Sequence, residues 1–312
     1  MKVINIFPRS SFRVNIDSDT IWGSIIWALK HIYSEREFNE ILEAFIFKTP
    51  PFIISSFLPS KKDKEKIIYF LPKPNIRLYT DGIDSSKLKD YKKVKFIPSN
   101  DFFLITKSKE DQINYISTED WKKSKVDFKT EQIQHNTIDR LKGGTLEGNL
   151  FYTTEVFYGN NYGLYLLLDG DNTELAINAL RFLSINGIGG DANIGKGHFS
   201  FVVDDCNFIP EVKDPNCFMN LSLYYPTKDE LLSFKEYIEI FNYELYSKKG
   251  KTGRYFNFAN VWKERITFFK EGSIFPLMEK PYYGRCIKVK QDGNLNIYSN
   301  GFAFPLKFYL GR

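Results

Sequence analysis

The sequence predicts an α+β protein of two domains, and three observations carry that prediction. Strand-like and helix-like periodicities follow one another in the order β-α-β-β-α-β over Lys2 to Asp205. A dense run of glycines falls between the second of those helices and the last of those strands. A less regular set of strands with one helix follows to the C-terminus. The βαββαβ order is the ferredoxin-like, or RRM-like, plan. The expectation is therefore two ferredoxin-like domains, 1–205 and 206–312.

"KVINIF" (Lys2 to Phe7) is the first strand. Asp17, Ser18 and Asp19 then precede a periodic stretch, which is a helix N-cap signature. Ile21, Ile25, Leu29 and Ile32 share one face of that helix, joined by Trp22 and Ile26. Prolines from Pro50 to Pro74 break any long element, and Ser60 to Lys66 reads as a solvated loop. "SSKLKDYKKVKF" reads as a wet charged surface, with RNA contact as the alternative. "NLFYTTEVFY" and "YGLYLLLDG" read as paired strands around a turn at Gly159 to Gly163. "NTELAINALRFLSING" is a helix ended by Gly187 as C-cap, and "HFSFVVDD" is the strand after it. In the second half, "MNLSLYYP", "KERITFF", "RCIKVK" and "GFAFPLKF" are strands, with a helix in "TKDELLSFKEYIEIF".

With 312 residues, 43% of them hydrophobic, the chain can bury a substantial core. No run reaches the roughly 18 apolar residues of a membrane helix. The N-terminus lacks a signal-peptide core. Cys206, Cys217 and Cys286 are odd in number and far apart, which argues against a disulfide framework or a zinc knuckle. The expectation is a soluble cytoplasmic protein with no membrane partner. A net charge of +5 permits a phosphate-rich partner without requiring one. Most of the aromatic 17% is assigned to core.

Gly187 to Gly197 holds five glycines in eleven residues, with Lys196 inside and His198 beside it. Such a loop can curl its amides around an anion. Gly190 to Lys196 spells the P-loop, but Gly197 occupies the position of the magnesium-binding hydroxyl. Gly187 to Ala192 matches the dinucleotide fingerprint. Both motifs need a strand leading into a helix, and this loop joins a helix to a strand. An NTPase or a dehydrogenase is disfavoured. What remains is a flexible loop, expected to lie outside the core, that lets a polymer backbone come close.

A glycine loop after a helix resembles the signature of RAMP proteins, the ferredoxin-fold subunits of CRISPR effector complexes. "DSDTIWGSIIWAL", "PPFIISSFLPS" and "YFLPKP" are similar to the N-terminal half of the fourth Csm subunit of type III-A complexes. "HNTIDRLKGGTLEGNLFYTTEVFY" resembles its central segment, where RAMP proteins carry an inserted RNA-contacting hairpin or thumb. "FFKEGSIFPL" and "YSNGFAFPLKF" resemble its C-terminal strands. The resemblance spans nearly the whole chain. It implies a non-catalytic, antiviral crRNA-binding subunit without metal or cofactor. Such a subunit grips the 5′ repeat-derived tag and docks on the large polymerase-like subunit and on the repeated RAMP backbone subunit.

Carried over residue by residue, the resemblance implies that Gly187, Gly189, Gly190, Asn193, Ile194, Gly195, Lys196, Gly197 and His198 wrap the tag, with Lys196 at a phosphate. The amides after Ser18 and Thr20 form an anion site at a helix N-terminus, and Gly23 and Ser24 admit close approach. A plain helix cap is the equal alternative. Arg9 and Arg13 can pair with phosphates or face solvent. His135, Asn136, Thr137, Ile138, Asp139 and Arg140 contact RNA, with Arg140 as clamp, Ile138 as wedge and Asp139 holding Arg140 or an amide. Lys251 and Arg254 belong to a further basic loop. The sheet face away from the helices is expected to be open to RNA or a partner. Two other functions are weighed: a metal-independent endoribonuclease using a pair such as His135 and Lys196, and a structural adaptor that never meets RNA.

Overall fold

The computed structural model describes residues 1–13, 16–123, 126, 128–237, 239–253, 260–293 and 295–311. β1 (Lys2–Pro8) leads through the two-residue β2 (Phe12–Arg13) to helices α1 (Ser18–Ile32) and α2 (Glu35–Phe47). The Asp17 carboxylate caps α1 by accepting from Thr20 N, and Ser34 caps α2 in a reciprocal box with Glu37. Next come β3 (Ile53–Ile54), β4 (Leu58–Asp63) and β5 (Lys66–Pro72). A basic, helical region follows: α3 (Ser85–Lys93), β6 (Phe96–Pro98), α4 (Ser99–Ile105) and α5 (Lys109–Thr118). A long hairpin, β7 (Lys129–Asp139) and β8 (Gly144–Phe157), precedes β9 (Tyr162–Asp169), α6 (Thr173–Asn186) and β10 (Phe199–Asp205).

The main sheet is antiparallel in the order β10-β1-β9-β4-β5-β6, and β3 also pairs with β9. Along β9, Leu164, Leu166 and Leu168 join the core with α1 and α6, while Tyr165 and Leu167 belong to a second core. A strand buried on both faces reads as an unbroken apolar run, as "YLLL" does.

The second half holds β11 (Cys217–Asn220), α7 (Lys228–Glu236), β12 (Leu245–Lys248), β13 (Ile266–Phe269), β14 (Ile274–Pro276), β15 (Ile287–Asp292), β16 (Leu295–Ser299) and β17 (Pro305–Phe308). β14-β11-β17 form a small antiparallel sheet, and β12–β13 and β15–β16 are two-stranded ribbons. Met219, Leu221, Leu306 and Phe308 share a core with Val3, Leu58, Tyr165 and Leu167. The sheet face expected to be open is therefore covered by the chain's own second half.

Two further expectations are corrected. The strand beside β9 is β4, whereas β8 pairs with β7 and β2. Leu58, Pro59 and Ser60 are buried and suit an internal strand, while Leu150 to Tyr152 are exposed. Ser60 to Lys66 is a β-hairpin turning at Lys64 (φ 55°), because its backbone pairs even though its lysines face water. Among the described residues no helix is long and apolar enough to cross a membrane.

One buried ion cluster joins the two halves. Lys248 Nζ donates to Asp17 Oδ1 at 2.7 Å, Asp19 Oδ2 at 2.9 Å and Thr20 Oγ1 at 2.9 Å. Asn300 N donates to Asp19 Oδ1, and Ser18 Oγ accepts from Leu223 N. Burial works to raise the Asp19 carboxyl, but the charges of Lys248 and Lys263 outweigh it and its pKa lies below the ordinary value. Burial works to lower Lys248, yet Asp19 and Asp17 raise it overall.

A depressed carboxylate contributes stability above its unfolded pKa and loses it as pH falls; a raised lysine contributes below its unfolded pKa and loses it as pH rises. The cluster thus stabilises the fold between about pH 4 and about pH 10. Lys248→Met should cost about 3–5 kcal/mol in urea unfolding at pH 7, because it leaves buried carboxylates without their cation. That cost should shrink as pH falls through the depressed Asp19 pKa.

Candidate nucleic-acid interface

The glycine loop leaves α6 at Gly187, whose φ of 80° fits its expected role as C-cap. It is not outside the core. Ile188 is 1% exposed in the cluster beneath α1 and α6, and Gly187 and Gly197 are buried with it. A Cβ on Gly197 would overlap the Ile188 carbonyl, and its φ of 69° also demands glycine. The loop closes on itself through Ile188 N to Gly197 O, a single 3₁₀ turn at Ala192–Ile194, and Gly197 N to Ser11 O. The amides of Ile194, Gly195, Lys196 and His198 also donate within the chain. Among the described residues, the amides of Gly189, Gly190, Ala192 and Asn193 have no such acceptor. The anion site thus shrinks to this outer arc, where Gly190, Asn193, Ile194 and Gly195 are exposed.

Two ion pairs fasten the loop to the foot of the hairpin. Lys196 Nζ donates to Glu155 Oε2 at 2.7 Å and to Ser11 Oγ at 3.1 Å, and Ser11 Oγ donates to the same carboxylate at 2.5 Å. Arg13 Nη1 donates to Asp191 Oδ2 at 2.8 Å, and the Arg13 side chain packs beside Gly190. Arg13 and Glu155 are register partners of β2 and β8, so loop, linker and hairpin meet at one cross-strand pair. Glu155 is 1% exposed. Burial favours its neutral form, but the bonds from Lys196 and Ser11 and the charge of Lys196 hold its pKa below the ordinary value. Lys196, expected at a phosphate, is therefore already held by a buried carboxylate. Ser11, Glu155 and Asp191 were missed by sequence reasoning. The one signal was an acid at an inward position of the alternating "TTEVF".

The hairpin itself is exposed. Glu131, Ile133 and His135 lie opposite Glu155, Thr153 and Phe151 and share the face that meets the loop. His135 Nε2 lies 2.9 Å from Thr153 Oγ1, and its ring stacks on Phe151 at 5.1 Å. Register slips between Asn136 and Ile138, where β8 carries the surplus residues around Gly148, and such a bulge twists the tip relative to the foot. Asn136, Thr137 and Arg140 are exposed, as are Ile138 at 64% and Leu141 at 97%. Asp139 holds the tip by accepting from the Leu141 and Lys142 amides, the backbone role expected for it. The tip lies roughly 25 Å from Glu155 at strand rise, so Arg140 and the loop are opposite ends of one surface.

The other expected residues scatter. Ser18 is fully buried with its amide donating to Ser56 Oγ, and Thr20 N donates to Asp17. Asp17, Asp19 and Lys248 occupy the N-terminus of α1, and the geometry there is that of the plain cap. Gly23 is exposed with open space over its Cα, and Ser24 Oγ donates to Thr20 O, so close approach from outside stays available. Arg9 is exposed at the end of β1. Lys251 Nζ lies 4.8 Å over the Trp262 ring, away from the loop's fastenings. Arg254 lies outside the described residues. No group of three or more His, Cys, Asp or Glu among the described residues is arranged to hold a metal.

Comparison with known proteins extends these findings. The RAMP superfamily pattern matches residues 3–200, and that of the CRISPR Csm4 C-terminal domain matches residues 213–308. A relative from Thermococcus onnurineus (strain NA1), described as CRISPR system Cms protein Csm4, is 24% identical over 97% of this chain and 95% of its own. A chain of the Csm1-Csm4 cassette solved in complex with cA4 aligns with a TM-score of 0.63 and 19% identity, covering 100% of this chain and 98% of that one. A chain of the Csm3-Csm4 subcomplex of the type III-A interference complex aligns with a TM-score of 0.63 and 18% identity, covering 99% of each. At such identities the solved structures speak for the fold.

Glu155→Gln should loosen the loop while keeping its shape. Lys196 can turn to water, so the expected loss is about 1–3 kcal/mol in urea unfolding. Hydrogen exchange should rise at the Gly187 to Gly197 amides and stay unchanged in α1.

Proposed function

The chain belongs to the RAMP superfamily, as a Csm4-type subunit, and from that premise we infer that it grips the 5′ repeat-derived tag of a crRNA. It is a subunit of the type III-A Csm CRISPR complex. Likeness to chains solved as Csm1-Csm4 and Csm3-Csm4 assemblies supports docking on the large polymerase-like subunit and on the repeated RAMP backbone subunit. The observation that carries the RNA reading is the exposed arc of the glycine loop, held beside Arg13 at the foot of a solvent-exposed hairpin. The strand runs from that arc along the hairpin face, past His135, toward Arg140. Small residues and unused amides at the foot take the backbone, and exposed aromatic and apolar side chains farther out take bases.

Both halves are read as ferredoxin-like, divided near residue 205. The order β10-β1-β9-β4 supports this in the first half. In the second, the order β17-β11-β14 and the bridge between Asn242 and Ile274 support it, with β15–β16 where the second helix would fall. The work is binding, in the cytoplasm, without metal, cofactor or catalysis. The endoribonuclease reading finds no support in the geometry: the His135 ring is engaged by Thr153 and Phe151, and the Lys196 amine by Glu155.

Coexpressed with its genomic neighbours, the protein should co-purify with short RNAs sharing one 5′ end. It should pair with the large subunit even without RNA. Arg9→Glu with Arg140→Glu should weaken RNA binding about tenfold or more and flatten its salt dependence, leaving the protein pair intact. Purified protein that cuts repeat RNA at one site would establish the endoribonuclease instead. Absence of any salt-dependent RNA binding would establish the adaptor.

A further inference from the structure

A cleft of about 840 Å³ opens between the foot of the hairpin, the main sheet, the segment after α3 and the second half of the chain. None of the expected RNA contacts except Arg13 lines it. Its rim is cationic: Lys92, Lys93 and Lys95 on one side and Lys270 on the other. Lys93 pairs with Asp90 and Lys270 with Glu244, but among the described residues Lys92 and Lys95 have no acidic partner and both are exposed. Its walls are aromatic and come from separate segments: Phe128 and Tyr158 at the hairpin foot, Phe96 beside the lysines, and Tyr246 from the second half. Phe128 and Tyr158 meet edge to face at 4.8 Å.

The lining also holds polar atoms that the fold leaves unused. Asn75 Nδ2 and Asp17 Oδ2, on two of the lining residues, are both buried and have no hydrogen-bond partner among the described residues. Glu271 lines the same cleft and accepts from Ser56 Oγ, and burial raises its pKa. A flat ring carrying an anion on its tail answers the aromatic walls and the lysine rim together.

We propose that this cleft seats one nucleotide of a single-stranded RNA, with its base between the aromatic walls and its phosphate at Lys92 and Lys95. The proposal rests on the RNA-binding reading and adds a second contact region to it. Arg13 borders both the cleft and the glycine loop, so the two regions adjoin at that side chain. Four parts of the chain converge here, and the seat exists only when both halves are folded together.

The test uses the full chain and a short fluorescein-labelled single-stranded RNA, read by anisotropy at several salt concentrations. Lys92→Glu with Lys95→Glu should fold normally, weaken binding about tenfold or more, and reduce the salt slope by about 0.7, the share of one single-strand phosphate contact. RNAs carrying one abasic site should show a single position at which loss of the base weakens binding to wild type by about fivefold or more. Phe128→Leu should erase that position's effect. Unchanged affinity and slope in the folded lysine variant would overturn the seat while leaving the RNA-binding reading intact. Wild type that binds no RNA would overturn both. Calorimetric binding of free adenosine or uridine monophosphate that is lost in the lysine variant, with RNA affinity unchanged, would assign the cleft to soluble nucleotides and overturn the proposal.

Discussion

The arrangement of the candidate interface depends on a carboxylate that water does not reach. Glu155 sits in β8 with a side chain 1% exposed, and in that position an isolated charge would cost several kcal/mol. Lys196 and Ser11 supply what the solvent cannot. Because those partners come from the glycine loop and from the linker after β1, satisfying one buried charge brings three distant segments to one point. Arg13 and Asp191 repeat the arrangement one step outward. The loop is held by electrostatics on its inner side and remains bare backbone on its outer side. That division lets it be rigid at its fastenings and accessible at its arc.

The N-terminus of α1 shows the same physics with the opposite outcome. A helix N-terminus favours anions, and an exposed one invites a phosphate. Here the anions are the chain's own. Asp17 and Asp19 occupy the site, and their mutual repulsion is relieved by Lys248 from β12. What reads locally as a ligand site is spent on joining the two halves. The outer arc of the loop and the hairpin, by contrast, keep backbone amides and aromatic side chains exposed.

Joining the halves also shapes the surface between them. The inner face of the main sheet is covered by Met219, Leu306 and Phe308, so that face is not open to RNA. The seam is not filled at its edge, and the lysines at the end of α3 and just beyond it fall along it. The surface therefore offers concave and protruding features in place of a planar platform: an arc, a hairpin and a cleft.

Periodicity, capping and glycine placement made much of the first half legible. β1, α1 with Asp17 as cap, β9, α6 ending at Gly187 and β10 follow from local rules, since each depends on neighbours a few residues away. The role of Asp139 in holding a backbone amide was legible for the same reason, while the hairpin it closes was expected only from the family resemblance. The pairing of β9 with β4 was not, because nearly a hundred residues intervene and only burial on both faces selects that partner. Nor was the commitment of Lys196, Ser18 and Thr20, whose types and spacing suit a phosphate. Whether a cation or an amide is free depends on which acid or hydroxyl folding carries to it. Glu155, Ser56 and Lys248 arrive from 41, 38 and 228 residues away. The sequence by itself determined the local elements and the chemistry on offer, and tertiary structure decided which of that chemistry the chain uses to hold itself together.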